Sequence, residues 1–487
     1  MELATHSKYQ INHSVTVLVY SLAGLLLYLW SVLPYGQGIT DDSVNFYSAA
    51  ISFPPQLLKL DGSLFVEWPP LYPILLSVYK LLNIKPLYMG IILHAISLFF
   101  TIYLIGIVVY KQIRSIYIQH TALLISVFSV PLLIINVFVW SEGIFTMLYL
   151  LLLVQLELFL TKKNNKHLIL ITLVAILLSF QRKTGIIIDI SVVLTIVFLL
   201  KGKSFFKRLQ YATVFFVLAI APFLLYLWTR KSQTGKYFTQ WETNFSNLAE
   251  NCIQSLEVIT TWMLPDEIHL LFRIIAILLF FSSFWLIYFQ SKKFKSPEIN
   301  VFQGLLMIHL IVYVLAIIFI FLFLQLDQSF DDRIFAPAYP AFLLLFFSFI
   351  DKFYYNLLLF PISNIRPLRL LFIVLLTIWC LYPVSRTIYT VNKWHQLGVG
   401  GYSHQYWLKN PLIQFLSLQP ENVLIRSNNE FAIYYHMAIA GKSKRSHLIS
   451  SDISNKPYLY ACFEPCQSQQ GEVLINTKQG KILYILE

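Results

Sequence analysis

The sequence predicts an all-α polytopic membrane protein of about eleven transmembrane helices, with a large first outer loop and a small C-terminal outer α/β domain. Three observations lead there. Hydrophobic residues make up 57% of the 487 positions and charged residues only 12%, with a mean hydropathy of +0.66. A water-soluble fold cannot cover that much apolar surface. The apolar residues also fall in runs long enough to cross a bilayer, and the basic residues fall in the short loops between them.

The runs lie near 15–33, 87–109, 119–139, 143–160, 167–181, 185–200, 210–228, 270–289, 300–324, 335–350 and 369–386. The fifth and sixth are separated only by "QRKTG" and read as a tight helical hairpin rather than one over-long helix. The stretch 353–361 is too short to cross and reads as an interfacial segment. "KQIRS", "TKKNNK", "KGKSFFKR", "QSKKFK" and "NIRPLR" fall on one side if the spans alternate. That side is cytoplasmic by the excess of positive charge, which places the N-terminus inside and the C-terminus outside. The formal net charge of +12 is thereby a matter of membrane orientation, and nucleic acid is not an expected partner. The first span has no small-residue cleavage site after it and reads as an uncleaved anchor. Two domains are expected: a membrane module over 1–386 carrying the outer loop 34–86, and an extracytoplasmic domain over 387–487. "NVLIRS", "FAIYYHMAIA" and "GKILYILE" indicate strands mixed with helix in the latter.

The chemistry concentrates on the expected outer face. Asp41 and Asp42 follow the first span in "QGITDDSVNFYSAA". Thr40 and the two acids suit a helix N-terminus, so a solvated cap is one reading. The other is a general base for a hydroxyl acceptor at the membrane surface. Val44, Tyr47, Ala50 and Ile51 recur at helical spacing, which suggests an amphipathic helix lying flat on the membrane. Arg182 and Lys183 occupy an outer turn where basic residues are disfavoured. They either snorkel to headgroups or clamp a lipid phosphate. Arg333 is a second candidate clamp, or a local partner of Asp331 and Asp332. Glu142 opens the fourth span as a helix-terminal charge, as a contact for sugar hydroxyls, or as a partner of Arg182. The histidines are scattered without zinc spacing, so a divalent metal is possible but not indicated. "CFEPC" could close a disulfide. No Gly-rich phosphate loop appears.

Five segments in order resemble the bacterial GT-C membrane glycosyltransferases, related to protein O-mannosyltransferases and lipid A aminoarabinose transferases. They are "TDDSVNFYSAA", "FVEWPPLYPILL", "WSEGIFTMLYLLLL", "SFQRKTGIII" and "DDRIFAPAYPAFLLL". The resemblance implies transfer of a sugar from a polyprenyl-monophosphate donor to a hydroxyl acceptor on lipid, protein or glycan, outside the cytoplasmic membrane and with inversion. Asp41 corresponds to the family's base, with Asp42 as a supporting acid. Arg182, Lys183 and Arg333 would bind the donor phosphate, and Tyr47, Trp68, Tyr72, Glu142 and Asp332 would line the substrate pocket. The chain departs from the family at Val66, where an Asp is common, and at Trp68, which replaces a His. Glu67 is therefore given no catalytic role. A secondary transporter and a lipid-linked glycan ligase or polymerase are the competing readings. The near-absence of charge at the span centres argues against the first. The second would carry its basic residues and His in a large late outer loop, which is not seen here.

Overall fold

A computed structural model describes residues 2–234, 248–279, 282, 300–323, 332–359, 365–420, 423–440, 457–466 and 471–485. It is mostly helical, with one small sheet near the C-terminus. Among the described residues eight helices are long and apolar enough to cross a membrane: His13–Val32, Pro86–Gln112, Ile116–Val137, Glu142–Lys162, Phe205–Gln233, Val301–Ile320, Arg333–Tyr355 and Leu370–Leu397. Three of the expected spans are not among them. Asn165–Gln181 and Gly185–Leu199 are apolar but shorter. Of the expected span at 270–289, only Leu270–Leu279 is a described helix, and the remainder lies outside the described residues, residue 282 excepted. The stretch 353–359 is not a separate interfacial segment but the last turns of helix Tyr339–Leu359, because nothing in "IDKFYYN" breaks a helix. Residues 360 and 361 lie outside the described residues.

The chain divides into two compact units, one of residues 1–27, 96–136 and 141–390, the other of residues 28–95, 137–140 and 391–487. The boundary expected at 386/387 lies inside helix Ile365–Leu397, just past its internal Pro383.

The first unit is a helix bundle. Glu142–Lys162 packs on Asn165–Gln181, and Gly185–Leu199 packs on both Phe205–Thr234 and Val301–Phe323. The expected hairpin is present as two helices. Gly185 permits it, since a Cβ there would sit 2.5 Å from the Ser179 amide nitrogen. Leu370, Leu371, Val374, Leu375, Ile378 and Leu381 are exposed on one helix, as expected where the bilayer is the solvent. Two acids at one pole of the bundle have partners. Lys111 Nζ lies 2.8 Å from Glu157 Oε2, and Asp351 accepts from the N–H groups of Arg114 and Ser115 at 3.1 and 2.9 Å. Glu157 lies about 22 Å along its helix from Glu142 at 1.5 Å per residue.

The second unit carries a four-stranded sheet built from β1 (Ile425–Ser427), β2 (Tyr458–Phe463), β3 (Glu472–Thr477) and β4 (Gly480–Ile485), in the order β1-β2-β4-β3. Only the β1–β2 pair is parallel. Leu412, Leu416, Ile425, Ala461 and Ile482 form its core. "FAIYYHMAIA" is helical, running from Glu430–Tyr434 into a π-helical turn at Tyr435–Ile439. Cys462, within β2, forms a disulfide with Cys466 just past the strand.

Candidate active site

The helix Asp41–Ser52 begins where three distant segments meet within the second unit. Residues 38 and 39 run beside 137–139 on one side and 400–402 on the other, as short parallel bridges. The Gly38 N–H donates to Val137 O at 2.9 Å, and Val139 N–H returns a bond to Gly38 O at 3.1 Å. On the other side Ile39 N–H donates to Gly400 O at 3.3 Å and Tyr402 N–H to Ile39 O at 2.8 Å. Two of these positions require glycine. A Cβ on Gly38 would lie 2.3 Å from the Phe138 ring, and one on Gly401, whose φ is +59°, would lie 1.8 Å from Ile39 O.

A relay of hydroxyls then caps the helix. Trp140 Nε1–H donates to Thr40 Oγ1 at 3.0 Å, and Ser43 Oγ donates to Val139 O at 3.0 Å. Thr40 Oγ1 and Ser43 Oγ are 3.1 Å apart, and Thr40 N–H donates to Ser43 Oγ at 3.0 Å. The helix is not the flat amphipathic element expected. Every residue from Ser43 to Ala50 is buried, polar and apolar alike. Its first turn is the exception, with Asp41 exposed and Asp42 half-buried.

Asp41 has a partner that sequence reasoning missed. Tyr402 Oη donates to Asp41 Oδ1 at 2.5 Å. Burial and the adjacent carboxylate push the phenol pKa well above its ordinary value, so it stays a neutral donor. Its oxygen also lies 3.1 Å from Asn429 Oδ1. Asn429 is fixed in turn, accepting from Ala432 N–H at 3.0 Å and donating through its own N–H to Ser427 Oγ at 2.9 Å. The His436 ring bonds the Tyr402 backbone, and burial pushes its pKa down to about 4, so it is neutral. Tyr402 stands 361 residues from Asp41, and no periodicity or spacing links them.

The other expected pocket residues of this unit are structural in their surroundings. Trp68 packs with Phe65 and Phe46 at ring separations of 5.4 and 5.8 Å. Tyr72 is fully buried against Phe46, with its hydroxyl 2.7 Å from His94 Nε2. Tyr47 is fully buried too, and its hydroxyl occupies space that only a glycine at 90 leaves open. Glu67 is exposed and pairs with Lys59 at 2.9 Å.

The first unit holds a second charged constellation. Glu142 is fully buried, and Arg182 and Arg333 both bond its Oε1. Its other oxygen lies 3.3 Å from Ser141 Oγ. Arg182 stands at the C-cap of Asn165–Gln181, and Gln181 ties the turn down by donating to Ser141 O at 2.9 Å. Arg333 stands in the short helix Asp332–Phe335, and Tyr313 Oη holds the neighbouring Ile334 carbonyl at 3.1 Å. Of the readings open for Glu142, the pair with Arg182 is present, and Arg333 joins it. Lys183 is half-buried in the same turn. The side chains of Asp331 and Asp332 lie outside the described residues. Among the described residues no group of three His, Cys, Asp or Glu is placed to hold a metal ion.

No family model and no curated protein matches the chain. Among solved structures, it is similar to ArnT from Cupriavidus metallidurans bound to undecaprenyl phosphate, with a TM-score of 0.59 at 10% identity, covering 97% of this chain and 98% of that one. The apo form of ArnT matches with a TM-score of 0.58 at 9% identity, over 96% and 97% of the two chains. ArnT is a lipid A aminoarabinose transferase of the GT-C class. The chain has the GT-C fold. The likeness runs through both units, so the GT-C architecture here includes the C-terminal sheet as well as the bundle.

Proposed function

We propose that this chain is a membrane glycosyltransferase that takes a sugar from a polyprenyl-monophosphate donor and passes it to a hydroxyl acceptor. The observation that carries this reading is the full-length likeness to a GT-C structure solved with undecaprenyl phosphate. The bundle supports it through its lipid-facing apolar surfaces, and the second unit through an exposed carboxylate at a rigidly anchored helix start.

In this reading Asp41 is the general base and Asp42 supports it. The acceptor O–H bond breaks, with its proton passing to the Asp41 carboxylate. The oxygen forms the new bond to the anomeric carbon, and the bond from that carbon to the phosphate oxygen breaks with its electron pair leaving on the phosphate. Attack opposite the leaving group inverts the configuration. Arg182, Lys183 and Arg333 stabilise the departing phosphate. Glu142 is the counter-ion that holds two of these side chains in place, leaving Arg182, Arg333 and Glu142 together with one positive charge. The active site and C-terminus lie outside the cytoplasmic membrane, the bundle crosses it about eleven times when the shorter helices are counted, and the acceptor is a lipid, protein or glycan.

The test is transfer of labelled sugar from a mixed polyprenyl-phosphate sugar pool in membranes carrying wild type or Asp41→Asn at matched expression. Asn keeps the size and cannot take the proton. Loss of a product that the wild type makes supports the base at Asp41, and equal product from both proteins removes that role from it.

A further inference from the structure

We infer that Tyr402, in the C-terminal segment, is a positioning residue for the base, so that this segment completes the catalytic centre. The inference rests on the reading of Asp41 as base. Asp41 is exposed at the first turn of its helix, and an exposed carboxylate ordinarily samples several staggered rotamers. Here the Tyr402 hydroxyl bonds Oδ1 and leaves Oδ2 as the oxygen open to an incoming hydroxyl. The phenol itself cannot wander. Its ring packs edge-on against Trp407 at 5.4 Å, and its backbone is bonded to Ile39, two residues before Asp41. Beneath it the His436 ring bonds the Tyr402 backbone, and Asn429 Oδ1, 3.1 Å from the hydroxyl, is a second acceptor for the same proton. Both ends of the Tyr402–Asp41 bond are therefore anchored to the same three-segment ladder. Such orientation of a reacting group accelerates the chemical step without altering how donor binds.

Two features meet here: a hydroxyl on one carboxylate oxygen, and a glycine whose conformation admits no side chain at the adjoining residue. Tyr402 directly follows Gly401, a position whose positive φ and contact with Ile39 O exclude a side chain.

Tyr402→Phe in the full-length protein removes only the hydroxyl and keeps the ring on Trp407. The expected result is a kcat roughly ten- to a hundred-fold lower with donor KM within about twofold of wild type. Adding Tyr402→Phe to Asp41→Asn is expected to lower the residual rate by less than about twofold, because the hydroxyl then has no base to orient. Trp407→Leu serves as the structural comparison: it disturbs the packing, keeps the hydroxyl, and is expected to lower the melting temperature more than kcat. Wild-type kcat for a folded Tyr402→Phe overturns the inference, as does a loss that multiplies fully with that of Asp41→Asn. A loss matched by Trp407→Leu at equal loss of thermal stability overturns it too, since packing alone then accounts for the effect. Failure of the base reading is separately visible, as full activity of Asp41→Asn alone.

Discussion

Asp41 and Glu142 both open a helix, and both carboxylates accept hydrogen bonds, yet their surroundings are opposite. Asp41 is exposed and bonded through one oxygen to a neutral phenol. Glu142 is fully buried and bonded through one oxygen to two guanidinium groups. A carboxylate with a neutral donor on one side keeps an oxygen for chemistry. One enclosed by two cations is a counter-ion, and a buried charge of that kind persists only because it is paired. The difference teaches that helix-terminal acids in the same chain are set apart by their partners, not by their position in the helix: one keeps an exposed oxygen, the other is enclosed by cations.

That contrast is sharpest in activity. Asp41→Asn is expected to reduce sugar transfer by about 10²–10⁴-fold, the usual contribution of a general base. Glu142→Gln, assayed in the same membranes, is expected to keep the rate within about tenfold, because it removes no proton acceptor from the reaction. Equal losses in the two variants would erase the distinction.

Next in size is the ladder that anchors Asp41. Gly401→Ala places a Cβ against Ile39 O and is expected to cost about 1–3 kcal/mol or more through backbone strain. A lower melting temperature together with lost transfer is the expected outcome, whereas Gly36→Ala, with open space around its Cβ position, is strained only by its own positive φ of +80° and should cost less.

On the Glu142 side, Arg333→Ala leaves the buried carboxylate with one guanidinium instead of two. Loss of a partner from a fully buried pair costs about 3–5 kcal/mol, and the retained Arg182 should hold the cost to about 1–3 kcal/mol. Arg333→Ala combined with Glu142→Gln should recover part of that loss, read as melting temperature in detergent.

The effect that vanishes at neutral pH concerns His436 beneath Tyr402. Its native pKa of about 4 lies below the ordinary value of about 6.5, so the unfolded chain takes up the proton first as pH falls. Stability is therefore full above about pH 6.5 and declines between there and about pH 4, by roughly 3 kcal/mol at most. Limited proteolysis of the C-terminal segment across that range should show the decline, and His436→Gln should flatten it.

Much of the architecture is legible in the residues. The apolar runs at 15–33, 87–109 and 143–160 became helices because twenty apolar residues have few other ways to satisfy their backbone in lipid. The hairpin at "QRKTG" is legible from its glycine and its two charges, and the Glu142–Arg182 pair is one of the readings its position allows. The flat amphipathic placement expected for Asp41–Ser52 fails because its polar residues face protein rather than water: Ser43, Asn45 and Ser48 are buried along with Phe46 and Tyr47. Periodicity reports which face is apolar, and a helix enclosed on all sides has no face to report.

By itself the sequence determined the membrane class, most helix positions, the helix start at Asp41 and the clustering of candidate acids and bases in the loops, because these depend on local composition and on the hydrogen-bonding demands of a short stretch of chain. Only the tertiary structure decided which donors those acids meet. Tyr402 reaches Asp41 across 361 residues, and Arg333 reaches Glu142 across 191. Such pairings are set by how helices and loops pack, and a hydrogen bond depends on positions to within a few tenths of an ångström that no linear spacing encodes.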